Sequence, residues 1–310
     1  FCFSIFSFLL SILSWANQVS EKLLPSAIIF RKPSVLFYVL FAICFYGKKP
    51  LRWKSLAILC LLAILKFSTY FYPYEFVMFD VGQGDSMLIR GEKNILIDTG
   101  GKLSYQKEKW QEKKTESYAQ RVIIPYLKAT GITKIDYLIL THGDYDHMGE
   151  AINLVNNFKV EKVIFNCGEF NDLEKELIKV LDKKKIPYYS CIKELNVDNN
   201  KLYSLNNKDY GNENDNSSVI YTKLNNHKFL FMGDAGVGVE EDLIEKYNLQ
   251  DIDVLKVGHH GSKTSSGKEF INEINPKYSI ISVGKNNRYG HPNKEVLNNL
   301  SDSKIYRTDQ

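Results

Sequence analysis

The sequence predicts an α/β fold in which mixed β-sheets are covered by helices, a four-layer, sandwich-like arrangement. Three observations carry this expectation. Strand-like apolar runs alternate with helix-like stretches through the middle of the chain, hairpin patterns flank that middle on both sides, and several strands run directly into turns rich in glycine, histidine and aspartate.

Residues 1–73 stand apart from this pattern. They are strongly apolar, and residues 1–15, 33–46 and 55–73 each read as a membrane segment, the last broken only by Lys66. Tyr70, Phe71, Tyr72 and Tyr74 suit an interfacial aromatic belt. Lys48, Lys49, Arg52 and Lys54 form a basic loop that the positive-inside tendency places in the cytoplasm, so one further crossing puts residues 74–310 outside it. Because the sequence opens on an apolar run without a basic leader, it reads as the end of a longer membrane protein rather than as a signal peptide. Forty basic against 36 acidic residues give a net charge of +4, which neither requires nor excludes a nucleic-acid partner.

From residue 74 the pattern is that of a soluble domain. Residues 74–79 predict a strand, DVGQGDS follows at 80–86, and residues 87–90 and 94–98 predict a hairpin that ends in the turn Asp98-Thr99-Gly100-Gly101. Asp85 and Asp98 are candidates to orient a site or touch a substrate; bonding to turn amides is the alternative. Lysine-rich residues 102–117 predict a surface excursion, and residues 118–129 a helix kinked or split by Pro125. A strand at 135–140 leads into THGDYDHMG, which packs His142, Asp144, Asp146 and His147 into six residues. Imidazole nitrogens and carboxylate oxygens are the ligands preferred by borderline or hard divalent cations.

Beyond that turn, residues 151–157 and 173–183 predict helices, and residues 163–165 and 188–191 predict strands. Cys167 and Cys191 each end a strand-like run, and the two thiols can meet if the intervening helix makes those strands parallel neighbours. The Asn- and Asp-rich stretch 193–216 predicts short strands with a long loop. Residues 218–224 and 228–232 form a hairpin that delivers Gly233-Asp234-Ala235. A helix at 239–247, a strand at 253–257 and the turn Gly258-His259-His260-Gly261-Ser262 come next. A helix near 268–274, a strand at 278–283, Gly290-His291-Pro292, a helix at 294–300 and a strand from 303 complete the chain.

Together these turns resemble the metallo-β-lactamase superfamily, whose HxHxDH signature stands here as His142-Gly-Asp144-Tyr-Asp146-His147. More narrowly, DVGQGDS, LIDTGG, GDA, LKVGHHGS and YGHP resemble the C-terminal domain of the ComEC family of competence proteins, which form the inner-membrane channel for DNA uptake. The resemblance spans residues 74–310. It implies a metallo-β-lactamase-like αββα sandwich preceded by transmembrane helices, with residues 1–73 ending a channel domain in the cell membrane and the hydrolase domain on the extracytoplasmic side. It also implies a nuclease that hydrolyses phosphodiesters of the non-transported strand. The partners would be single-stranded DNA bound without sequence preference, the membrane, and other components of a competence DNA-uptake machine.

Carried over by position, His142 and Asp144 would hold one divalent ion, Asp146 and His147 a second, and Asp234 would bridge them. His259 would complete the second site, with His260 as its neighbouring alternative. The superfamily supplies another histidine before the bridging aspartate; here only His227 lies in that interval, in a turn unsuited to a ligand. Asn214, Asn216 or water would take its place, which leaves zinc and manganese as the candidate metals, with magnesium ranked third. Asp146 or Asp234 would take up a proton, and His291 would donate one or touch substrate. Ser262 and Lys263, with Lys256, Lys285 and Arg288, would grip phosphates. No interleaved aromatic platform marks a sequence-specific single-strand binder, so recognition is expected to be electrostatic and indifferent to base order. The rival expectations are a hydrolase of small phosphodiesters or other esters, and a non-catalytic module that guides DNA.

Overall fold

A computed structural model describes residues 35–46, 50–67, 74–101, 117–197 and 199–310 of the chain. The chain divides into two compact units, residues 1–69 with 128–131 and residues 70–127 with 132–310. In the first unit the described elements are two helices, Val35–Tyr46 and Leu51–Phe67. No helix among the described residues is long and apolar enough to cross a membrane, so the expected transmembrane helices are not found there. Seventeen residues rise about 26 Å, short of the ~30 Å hydrocarbon core, and the first turns of that helix carry Arg52 and Lys54. The segment at 1–15, the tyrosines at 70 and 72, and most of the excursion at 102–117 lie outside the described residues.

The second unit holds two sheets. In the first, β1 (Glu75–Met78), β2 (Met87–Arg90) and β3 (Asn94–Ile97) form an antiparallel meander, and β4 (Tyr137–Ile139), β5 (Val163–Phe165) and β6 (Tyr188–Ser190) extend it in parallel. The second sheet repeats this plan. Antiparallel β7 (Glu194–Val197), β8 (Asn200–Ser204), β9 (Ile220–Leu224) and β10 (His227–Phe231) continue into parallel β11 (Val254–Lys256), β12 (Tyr278–Ile281) and β13 (Lys304–Arg307).

Side-chain alternation explains the layering. Met87, Ile89, Ile95 and Ile97 face inward to meet Ile220, Phe229 and Phe231 of the other sheet, while Leu88, Leu96 and Leu230 point outward beneath helices. Two outer cores and one central core make the expected αββα sandwich. Helix Asp172–Lys184 covers the first sheet; it starts with a capping box in which Asn171 and Glu174 satisfy each other's backbone N–H, and it lays Leu177 and Leu181 on the core. The stretch around Pro125 departs from a kinked α-helix. A π-helical turn at Ala119–Ile123 passes into the helix Ile124–Ala129, so the proline, which has no N–H, falls where the bonding pattern changes.

Cys167 and Cys191, just beyond the parallel neighbours β5 and β6, are joined by a disulfide. More important for function, the carboxyl ends of β3, β4, β10 and β11 release Asp98, the 141–148 turn, Asp234 and the 258–261 turn along one edge of the sandwich. That edge is where open α/β sheets place their sites.

Candidate metal centre

The cluster begins with Asp98, which leaves β3 with a positive φ of 58°. Its carboxylate accepts from the Thr141 amide at 2.8 Å and the Thr141 hydroxyl at 2.7 Å, and its Oδ2 meets His147 Nδ1 at 2.8 Å. Anchoring His147 through Nδ1 leaves its Nε2 facing Asp234 Oδ1, 3.1 Å away. The other two buried rings follow the same rule. His260 Nδ1 is held by the Ser282 carbonyl at 2.9 Å, and His142 Nδ1 lies 3.2 Å from both the Ser217 and Thr141 hydroxyls. In each ring the anchored nitrogen fixes orientation and leaves the other as an inward-facing donor atom.

Asp146, His147, Asp234 and His260 bring one ligand atom each within 4.8 Å of one another. His260 Nε2 stands 3.4 Å from Asp146 Oδ2 and 3.7 Å from Asp234 Oδ2. His142 Nε2 lies 3.6 Å from Asp144 Oδ2, and its ring centroid is 4.1 Å from that of His147. Buried Nε2 of His142, His147 and His260 and Oδ1 of Asp234 have no hydrogen-bond partner among the described residues. Buried polar atoms are almost always satisfied, so the three of these that converge, on His147, His260 and Asp234, fit a cation. Burial raises the carboxyl of Asp146, but the close approach of the His260 ring and the charges of His147 and His260 outweigh it and bring it down to about 2. Burial likewise opposes an imidazolium at His147, yet Asp234 and Asp98 hold its pKa well above the ordinary histidine value.

A model of the metallo-beta-lactamase superfamily matches residues 79–285, two thirds of the chain and every residue of this cluster. The chain belongs to that superfamily. It is also homologous to competence proteins of the ComEC family. It is 37% identical to ComE operon protein 3 of Bacillus subtilis over 79% of this chain and 34% of that protein. It is 28% identical to competence protein ComA of Neisseria gonorrhoeae over 97% of this chain and 40% of that one. The chain thus spans roughly a third of the length of these relatives. The metallo-beta-lactamase fold protein YhfI of Bacillus subtilis superposes with a TM-score of 0.50 at 12% identity, covering 76% of this chain and 96% of YhfI.

Within this metallo-β-lactamase centre several positions differ from expectation. His260, not His259, enters the cluster. Both residues take left-handed conformations, with φ of 44° and 54°, and this turn buries His260 while leaving the His259 side chain 25% exposed. His259 Nε2 stands 3.7 Å from Asp234 Oδ2, as His260 Nε2 does, but it makes no such approach to Asp146, and its Nδ1 engages the Thr264 hydroxyl. Asn216 is occupied elsewhere, accepting from the Tyr210 amide and donating to Asp209. Ser217 stands beside His142, and its hydroxyl links His142 Nδ1 to the Asp234 amide. Behind His142 and Asp144, Glu213 accepts the Gly143 amide, and burial pushes the Glu174 carboxyl up to about 7, with the Glu213 charge adding to it.

Lys256 is the largest departure. Instead of reaching for phosphate it is fully buried and paired with Asp85. Asp85 also lies 3.5 Å from His260 Nδ1 and 3.9 Å from His147 Nδ1, so it stands behind the cluster rather than over substrate. Gly84, at φ 147°, lets this loop cross the Asp146 carbonyl, where a Cβ would sit 2.3 Å away. Ser262 ties its own turn through Thr264, and Lys263 is exposed beside it. His291 is half-buried with an unpartnered Nδ1, its ring 5.9 Å from His259; burial, together with the charges of His260 and His259, lowers its pKa.

Proposed function

We propose that this chain is a divalent-metal-dependent phosphodiesterase that cuts DNA: the extracytoplasmic nuclease domain of a DNA-uptake channel, acting on the strand that is not imported during natural transformation. The observation that carries the reading is the cage of Asp146, His147, Asp234 and His260, with inward nitrogens left without partners. Those four would hold one ion, and His142 and Asp144, sharing Asp234, would hold a second. Zinc or manganese suits a set of imidazoles and carboxylates. Such ions, when bound, polarise a phosphoryl oxygen and make water acidic.

The chain's own residues do the rest. Asp98 and the Ser282 carbonyl fix the imidazoles of His147 and His260, and Asp234 would be the carboxylate shared by the two ions. Asp146, partly exposed at the edge of the cluster, would orient an incoming water by accepting its hydrogen bond. His291, whose surroundings disfavour the imidazolium, can donate a ring N–H hydrogen bond to a phosphate oxygen of the substrate. The disulfide supports an oxidising compartment and therefore the outer side of the membrane.

The test is hydrolysis of fluorescent single-stranded DNA by the full chain with manganese, zinc or magnesium, alongside Asp146→Ala and Asp234→Ala. Cleavage that needs metal and falls at least a hundredfold in both variants is expected. Undiminished cleavage in the two variants would remove these residues from the mechanism.

A further inference from the structure

Beside the metal centre runs a groove of about 710 Å³, within the size range of pockets that take one small ligand. Asp146 lines it, so the groove touches the cluster at that residue. Its walls come from distant parts of the chain: the loop at 80–83, the turn that carries Tyr118 and Arg121, and the loop at 284–289. The first and last of these are locked together, since Gly284 N–H donates to Gln83 Oε1 at 3.1 Å and the Ser282 hydroxyl to the Gly84 carbonyl at 2.6 Å.

Three cations face this space, Arg121, Lys285 and Arg288, and among the described residues none of them forms an ion pair with a carboxylate. Of the three acids lining the groove, Asp146 belongs to the cluster, Asp80 accepts the Gly82 amide, and Asp309 is engaged by Arg307 through bonds of 2.9 and 2.7 Å, with the charge of Lys285 also acting on it. Arg121 is held with its guanidinium 5.3 Å from the centre of the Tyr118 ring. On the opposite lip Tyr289 is 58% exposed and stacks on His291 at 5.6 Å with a 28° interplanar angle. Because His291 in turn meets His259, which borders Asp234, a run of rings leads from the groove lip to the metal cluster.

We infer that this groove holds the nucleotide next to the scissile phosphodiester, with its base on the Tyr289 ring and its phosphate among Arg121, Lys285 and Arg288. The inference rests on the phosphodiesterase reading above and adds a base-stacking subsite to it. Unpaired cations around a groove of nucleotide size ask for an anion, and an exposed aromatic face beside them asks for a planar ring. A single-stranded nucleotide supplies both, whereas bases stacked in a duplex do not present that face. Stacking is indifferent to which base is present, so recognition tolerant of sequence is retained.

The experiment is fluorescence anisotropy of fluorescein-labelled hexathymidylate with the full chain in EDTA, where no cleavage intervenes. A hexamer of abasic sites serves as comparison. Tyr289→Ala should weaken hexathymidylate roughly tenfold and leave the abasic strand unchanged. Lys285→Ala with Arg288→Ala should weaken both strands and flatten the log–log salt dependence from about −2 towards about −0.7, as expected for the loss of two of three phosphate contacts. Equal affinity of the wild type and Tyr289→Ala for hexathymidylate, or no binding by the wild type, would overturn the subsite. Hydrolysis of bis(p-nitrophenyl) phosphate by the manganese-loaded wild type separates the two claims. If it occurs without Tyr289-dependent binding, the subsite alone fails; Tyr289-dependent binding without hydrolysis sustains the subsite and counts against the phosphodiesterase.

Discussion

Lys256 shows how far a single residue's role can lie from its chemistry in isolation. In the sequence it is one of many lysines, yet at the end of β11 its side chain is enclosed on every side and its ammonium meets Asp85. Removing Lys256 leaves the Asp85 carboxylate buried with only the His260 and His147 rings nearby, which costs up to about 3–5 kcal/mol. Lys256→Met should therefore lower the unfolding free energy by about that amount in urea denaturation of chelator-treated protein. Adding Asp85→Asn to Lys256→Met should recover much of the loss, since no lone charge then remains. A double variant whose loss equals the sum of the two single losses would mean that the pair is not coupled.

Between elements, Glu240 does comparable work. From helix Val237–Lys246 its carboxylate accepts the amides of Ser266 and Gly267, fastening the loop that follows His260 just before helix Lys268–Ile274. Burial pushes this carboxyl up to about 7 against the two amide bonds that lower it. Between the unfolded value near 4.5 and the folded value near 7 the folded state binds more protons. Stability contributed by this group must therefore fall as pH rises through that window. Glu240→Gln cannot ionise, so its stability relative to wild type should rise by about 2–3 kcal/mol from pH 5 to pH 8, read from paired urea curves. A flat difference would mean that Glu240 titrates normally. The strands and helices around it were legible because period-two and helical patterns, Gly-Asp turns and the 141–147 ligand spacing are local. What was not legible is non-local or conformational: the left-handed turn that buries His260 and leaves His259 partly exposed, the enclosure of Lys256, and the meeting of Arg121 with Lys285 and Arg288 around one groove. The π-turn before Pro125 belongs with these, since a proline in sequence announces a disturbance but not its form.

Across the whole second unit, the metal cage draws two ligands from each sheet. Asp146 and His147 follow β4 of the first, while Asp234 and His260 follow β10 and β11 of the second. The sheets otherwise meet through the apolar layer containing Ile97, Phe229 and Phe231. A cation in the cage is thus a polar clamp across that layer, and a ligand that binds only the folded state stabilises it by mass action. Manganese at about one hundred times its Kd should raise the unfolding free energy of the chelator-stripped chain by about 2.7 kcal/mol. Asp234→Asn weakens the arm from the second sheet while leaving His147 and Asp146 in place, so the gain at the same concentration should largely vanish. A rise preserved in Asp234→Asn would mean that the metal is held by the 141–147 turn alone. The acid limb separates the cases further. His147 is held protonated above the ordinary range by Asp234 and Asp98, so metal must displace a proton there, and the manganese-induced rise should shrink as pH falls.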